Sequence, residues 1–191
     1  MGSHLILTGP SGAGKTSLLL GLPSFTGEYD FTVDRSRTTQ RRRPGEGDNE
    51  KVFMGQDEFN VARGGFLLTF RTYRDYEYGI AHQPVLGSQE IRARVLMPTQ
   101  ALKFAGLVEA PVVICAVSPH TEDLEAVLRA RDPGICPADL MARVRRAEQD
   151  QLQADSIADI HFANTDGIDA AVMRLGAHVT GYLAREHAMA S

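Results

Sequence analysis

Gly9-Pro10-Ser11-Gly12-Ala13-Gly14-Lys15-Thr16 sets the fold class of this chain. The octapeptide fits G-x-x-x-x-G-K-[ST] at every position, a pattern whose glycines let the backbone curl until successive N–H groups point at phosphate oxygens. A helix opening at Lys15 adds the positive end of its dipole. The lysine ammonium then reaches the β- and γ-phosphates, and the Thr16 hydroxyl ligates Mg²⁺. The flanks agree with this reading. Residues 4–8 (HLILT) form a short apolar run ending at Gly9, as a buried strand does, and residues 15–22 are leucine-rich and free of breakers, as a helix is. The expected ATP site comprises Gly9, Ser11, Gly12, Ala13, Gly14, Lys15, Thr16 and Ser17, with Lys15 catalytic and Thr16 the metal ligand.

Kinases, motors and GTPases all use such a loop. GTPases add a base-reading N-K-x-D, which Asn164-Thr165-Asp166 is not, and large ATPases run longer than 191 residues. A loop this early in a chain of this length points to a small-molecule kinase. Further along, residues 29–33 read as a strand and the polar residues 34–49 as a loop. Residues 56–63 form a short helix stopped by Gly64-Gly65, and 66–73 with 76–80 form a hairpin turning near Arg74-Asp75. A core strand is expected at 94–97 and a helix at 100–104. The continuous apolar run 111–117 (PVVICAV) has the pattern of a parallel strand covered on both faces. Thr121 caps a helix reaching Arg131, Asp132-Pro133-Gly134 breaks it, and Pro137 opens another running to Leu152. A last strand at 160–162 and a helix at 167–185 close the chain. Strands alternating with helices make the class α/β, with a central parallel sheet.

Composition narrows the function. Hydrophobic residues make up 43%, which excludes a disordered chain. Twenty basic against 24 acidic residues give a net charge of −4, which argues against a nucleic-acid partner. Two cysteines, Cys115 and Cys136, are too few for a disulfide framework. No apolar run reaches the roughly 20 residues of a membrane span. The opening MGSHLILTG lacks a secretory pattern, so a cytoplasmic protein, monomer or homodimer, with no membrane partner is expected.

Arg35, Arg37, Arg41, Arg42 and Arg43 crowd one segment. Alone it reads as a solvated basic loop; downstream of a phosphate loop it reads as a clamp for an acceptor's phosphate, because guanidinium binds phosphate bidentately. Here the sequence resembles the guanylate kinase family. GPSGAGKTS resembles its P-loop, TTQRRRPGE its T-T-R-x-x-R-x-G-E acceptor motif, and Tyr78-Gly79 the Y-G that closes its acceptor lobe. LRARD with MARVRRAEQ is similar to its lid, and FANTDGIDAAV to the segment near its adenine site. The resemblance implies a P-loop NTPase core (1–33, 83–127 and 151–191), a small acceptor-binding lobe (34–82) and a helical lid (128–150). It implies acceptor contacts from Ser36, Arg41, Arg43, Thr69 and Tyr78, charge stabilisation by Arg131 and Arg143, and an adenine contact from Asn164. Its cofactors are ATP and Mg²⁺, and its partner is a phosphorylated small molecule.

Departures from that pattern shape the expected acceptor. Gln40 stands where the family has its first acceptor arginine, with Arg41 or Arg42 as substitutes. Val52 stands where a tyrosine contacts the phosphate, and Thr69 where a glutamate reads guanine. Met97-Pro98-Thr99-Gln100 replaces a segment carrying an aspartate. A guanine edge without a carboxylate partner costs roughly 1–3 kcal/mol. Ribose 1,5-bisphosphate phosphokinases, which LLTF, PVVICAVSP and FANTDG also resemble, phosphorylate a sugar phosphate without that glutamate. The expected enzyme is therefore an ATP-dependent kinase whose acceptor keeps a phosphate and loses the guanine. The alternatives are a plain guanylate kinase and a non-catalytic binding module. Asp75 and Glu77 read as solvated turn carboxylates, with a general base as the other reading. Tyr73, Tyr76 and Tyr78 face either the acceptor or the hairpin packing. Arg129, Arg145 and Arg146 read as helix-surface residues, the histidines lack metal spacing, and Cys115 reads as core.

Overall fold

A computed structural model describes residues 2–42, 47–49, 51–72, 75–82, 85–119, 124–131, 133–165 and 167–189. In chain order the elements are β1 (Ser3–Thr8), α1 (Lys15–Gly21), β2 (Asp30–Val33), β3 (Ser36–Thr38), β4 (Lys51–Phe53), α2 (Gln56–Ala62), β5 (Phe66–Arg71), β6 (Glu77–Ala81), β7 (Glu90–Val95), α3 (Pro98–Ala105), β8 (Val112–Ser118), α4 (Leu124–Arg131), α5 (Pro137–Ile157), β9 (Ile160–Ala163) and α6 (Ile168–Met189). Five strands form a parallel sheet in the order β2-β7-β1-β8-β9, and a second sheet runs β4-β3-β6-β5. The second sheet is mixed, with β3–β4 parallel and both β3–β6 and β5–β6 antiparallel.

β1 is central and buried along its whole length, and its alternate side chains feed two apolar layers. Leu5 and Leu7 join Ile91, Ala93, Val113 and Cys115 under Leu18 and Leu19 of α1 and Val172, Leu175 and Val179 of α6. Ile6 joins Leu96 and Ile114 under Ala101 and Phe104 of α3, and Ile80 brings the second sheet into this layer. Each fully buried leucine or isoleucine contributes about 1.5–3 kcal/mol. Local chemistry sets the helix starts. Pro98 and Pro137 occupy the first helical turns, where a missing N–H costs nothing, and the Asp139 N–H donates to the capping Cys136 Sγ at 3.4 Å.

Several expectations need correction here. The polar segment expected to be a loop holds β3, and β4 follows it; their pairing comes from neighbouring strands, since three residues carry no periodicity of their own. The strand expected at 94–97 is β7, which starts at Glu90 and ends at Val95. Its charged members Glu90, Arg92 and Arg94 alternate with Ile91, Ala93 and Val95, and ion pairs let them stay in the strand. α5 continues past Leu152 to Ile157, held by buried Ala154. The hairpin turns where expected, with Asp75 at φ 59° donating its N–H to the Thr72 carbonyl at 2.9 Å. Tyr73, Arg74, Thr121 and Asp132 lie outside the described residues.

Candidate functional site

The glycine loop leaves β1 between β7, which precedes β8 in sequence, and β8 on its other flank. Strand order reverses at this point, and ligands of open parallel sheets bind in the crevice that such a reversal creates. Gly9, Gly12 and Gly14 hold φ of 129°, 95° and 77°. A Cβ on Gly9 would collide with the Val117 carbonyl, and one on Gly14 with the Asn164 side chain, so the curl requires glycine. Lys15 Nζ donates back to the carbonyls of Gly9 (2.9 Å) and Pro10 (2.6 Å), bridging the loop's ends. Ser11, Thr16 and Ser17 are exposed at its mouth, whereas Ala13 is buried. Asn164 Nδ2 donates to the Ala13 carbonyl at 3.1 Å, and its buried Oδ1 has no hydrogen-bond partner. The adenine-contact candidate therefore also braces the loop. Val127 and Leu124 of α4 lie over Gly12, so α4 packs against the phosphate loop.

In the second sheet, strand register sorts the candidates onto two faces, because paired residues share a face and neighbours alternate. Thr38 pairs with Tyr78, and Tyr78 with Phe70, while Ser36 pairs with Lys51. One face thus carries Ser36, Lys51, Tyr78 and Phe70. The Tyr78 hydroxyl donates to Gln40 Oε1, and the Tyr78 ring stacks on Phe70 at 5.3 Å between centroids. Gln40, buried in place of an arginine, orients the tyrosine. The reverse face carries Arg37, Val52, Gly79, Thr69, Arg71 and Glu77.

That sorting separates residues the sequence had put together. Thr69 is exposed opposite Gly79, away from Ser36 and Tyr78, and Val52 lies beside Arg37. Lys51 is the cation beside Ser36. Arg41 is exposed, Arg42 pairs with Asp48 and lies 4.8 Å from the Phe53 ring, and Arg43 is outside the described residues. Tyr76, half-buried, gives its carbonyl to the Thr72 N–H at 2.9 Å in the turn.

Glu77 is not a solvated turn carboxylate. It is buried and accepts hydrogen bonds from Arg63 at 2.6 Å and from Gln56, with Arg71 3.5 Å away. The Arg63 hydrogen bond, then that from Gln56, holds its carboxyl below the usual carboxylate range despite burial. A carboxylate so held is a poor proton acceptor, and it ties α2 to the hairpin.

The sequence reading missed Asp34 and Arg94, which meet at the ends of β2 and β7. Arg94 is 1% exposed, lies 2.6 Å from Asp34 as an ion pair without hydrogen-bond alignment, and stands 4.0 Å over the Phe104 ring. Burial pulls its pKa down to about 10. His4 meets the same ring edge-on, and burial, with Arg94 next, pulls its pKa to about 4. The Glu90–Val95 alternation signals a strand but reads as one with a solvated charged face, so the burial of Arg94 against Asp34 and Phe104 is not visible in it.

On α4 and α5, Arg129 pairs with Glu125 (2.7 Å) and Arg146 with Asp150 (3.2 Å), exposed contacts worth well under 1 kcal/mol, and Arg145 is exposed, as expected of surface residues. Arg143 is half-buried on α5; nothing is described of the Arg131 side chain. Cys115 is core, its thiol pushed up to about 12 by burial. Among the described residues no group of three or more His, Cys, Asp or Glu is placed to hold a metal ion, and no helix is long and apolar enough to cross a membrane.

No family model matches the chain. A guanylate kinase of Nostoc sp. is 30% identical over 171 residues, covering 86% of this chain and 83% of that protein. The chain belongs to the guanylate kinase family. Another guanylate kinase, from Sodalis glossinidius, is 30% identical over 150 residues, and that of Escherichia coli (strain K12) is 37% identical over 87, there covering 44% of this chain. The crystal structure of guanylate kinase from Anaplasma phagocytophilum has the same fold, with a TM-score of 0.65 at 19% identity over 97% of this chain and 86% of that one. As a guanylate kinase family member the chain is an ATP-dependent phosphotransferase with a P-loop nucleotide site.

Proposed function

We propose that this enzyme transfers the γ-phosphoryl group of ATP to the phosphate of a small acceptor of the sugar-phosphate class, such as ribose 1,5-bisphosphate, without reading a guanine. The observation that carries this is the face holding Ser36, Lys51 and Tyr78. It offers the Ser36 hydroxyl and the Lys51 ammonium for a phosphate, and the Tyr78 hydroxyl would exchange its Gln40 acceptor for a phosphate oxygen. An apolar ring, Phe70, lies beside Tyr78 rather than a carboxylate. The buried carboxylate of the hairpin, Glu77, belongs to the opposite face and is committed to Arg63 and Gln56.

The residues present fit ATP with Mg²⁺. The positive-φ glycines leave a cradle of backbone N–H groups that a Cβ would fill, Lys15 has an ammonium close enough to exchange carbonyls for phosphate oxygens, and Asn164 Oδ1 is free to accept from an adenine amino group. Bound Mg²⁺ would be held by Thr16, phosphates and water and would neutralise charge on the phosphates. An acceptor phosphate oxygen is ionised at neutral pH, so its attack on the γ-phosphorus, with cleavage of the bond to the bridging oxygen and departure of ADP, needs no general base. Positioning and charge neutralisation supply the catalysis, with Lys15, Arg131 and Arg143 as the cations and Ser36, Tyr78, Arg41 and Arg43 holding the acceptor. The proposed division is a core, an acceptor-binding lobe at 34–82 and a lid at 128–150, in a cytoplasmic protein.

The second reading, GMP as acceptor, is favoured by the names of the related proteins. A coupled assay of ADP release with GMP, AMP and ribose 1,5-bisphosphate tests the proposal. Release fastest with ribose 1,5-bisphosphate is expected; release far faster with GMP would favour the second reading, and none with any acceptor would leave a non-catalytic binding module.

A further inference from the structure

The arginine-rich segment divides in two. Arg42 is committed to Asp48 and to the face of Phe53. Arg35 and Arg37 instead line a cavity of about 330 Å³ with Asp34, Val52, Glu90 and Arg92. It sits where β2, at the edge of the parallel sheet, hands over to β3, on the side of β3 that carries Arg37 and Val52 rather than Ser36 and Lys51.

Charge balance shows what the cavity would accept. Its two carboxylates are already matched: Asp34 lies 2.6 Å from Arg94, and Glu90 lies 2.5 Å from Arg92. Glu90 also accepts from the Thr32 hydroxyl at 3.0 Å and the Gly87 N–H at 3.2 Å. The side chains of Arg35 and Arg37 make no hydrogen bond or ion pair with any described residue. Two guanidinium groups thus line one concave site whose two carboxylates are each paired with another arginine, and a planar fork of N–H donors matches the oxygens of a phosphate. We infer that this cavity binds a phosphate dianion, free or as a monoester on a small molecule, at a place separate from the acceptor's phosphate beside Ser36 and Tyr78. A phosphate held there would bridge Arg35 and Arg37 to Arg92 and so tie the second sheet to the parallel one at their junction. The inference does not depend on which acceptor the enzyme uses.

The test is a titration of the full chain, its P-loop filled with ADP and Mg²⁺, with inorganic phosphate and separately with ribose 5-phosphate, following the amide NMR signals of Val33 and Val52. Saturable shifts at both amides are expected. Arg35→Ala/Arg37→Ala should weaken binding roughly a hundredfold, about tenfold for each lost charge-assisted contact. Ser36→Ala/Tyr78→Phe should leave these shifts in place. Saturation by inorganic phosphate alone, or by both compounds, upholds the site and separates the free anion from the ester. No saturable shift with either compound, or an unchanged curve in the arginine variant, overturns it. Neither arginine side chain has a partner among the described residues, so the variant is expected to fold, which circular dichroism checks. The readout is equilibrium binding, so loss of the kinase reading would leave this result standing.

Discussion

The phosphate loop and the second sheet are built by opposite means. The loop is a local object: three glycines at positive φ, one lysine and a strand–helix junction determine it within eight residues. The second sheet is a non-local object, in which the chemistry of Ser36, Thr69 or Tyr78 depends on which face strand pairing assigns to each. In the loop a residue's role follows from its position in the motif. In the sheet a shift of one residue exchanges every role for its opposite.

This contrast predicts graded effects. The largest is at the loop. Lys15→Ala removes a charge-assisted donor to the transferring phosphate and should lower kcat by about 10²–10³, as for loss of one preorganised donor. Steady-state kinetics with ATP in excess checks this, and an unchanged kcat would remove the loop from the reaction.

A middle effect belongs to the network under the hairpin. Glu77→Gln leaves Arg63 and Arg71 beside a neutral amide and should cost about 1–3 kcal/mol at pH 7, measured by urea unfolding. The carboxyl of Glu77 is held below its ordinary value of 4.5, so its contribution is fully present above that value and lost as pH falls through the lower, folded one. The stability gap between wild type and Glu77→Gln should therefore narrow as pH drops below about 4.5, the ordinary carboxylate range. A gap constant from pH 7 to pH 3 would show that Glu77 is solvated after all.

The smallest effect is the sharpest test of face assignment. Thr69→Glu places a carboxylate on the exposed side of β5, opposite Gly79, and should change kcat/KM for GMP by less than about twofold, since a surface substitution away from the site is worth within ±0.5 kcal/mol. A tenfold gain in GMP use would put Thr69 back on the acceptor's side.

Much of the fold was legible because its signals are local. The run around Leu5, Ile6 and Leu7, the apolar β8, and Pro137 at a helix start each state their conformation within a few residues. β3 and β4 were not legible, being only three residues long; β3 exists by pairing with β6, and β4 by pairing with β3. The candidate site divides the same way. The loop from Gly9 to Thr16 was read whole, whereas Lys51 beside Ser36, Gln40 against Tyr78, and the Asp34–Arg94 pair are meetings of distant segments that no spacing encodes. The sequence put Thr69 with Ser36 and Tyr78, whereas pairing from the turn, Arg71 with Glu77 and Phe70 with Tyr78, sets Thr69 opposite Gly79 on the other face, which only the strand register shows.

The central claim is that the face carrying Ser36, Lys51 and Tyr78 holds a phosphate without reading guanine. Side-by-side kcat/KM values for GMP, AMP and ribose 1,5-bisphosphate test it most directly. Weak discrimination against AMP, with ribose 1,5-bisphosphate as the best acceptor, is the predicted result, because a site that pairs no base edge discriminates bases poorly. A kcat/KM for GMP in the range of about 10⁴–10⁸ M⁻¹s⁻¹ and far above both others would contradict it and make the enzyme a guanylate kinase in substrate as well as in family.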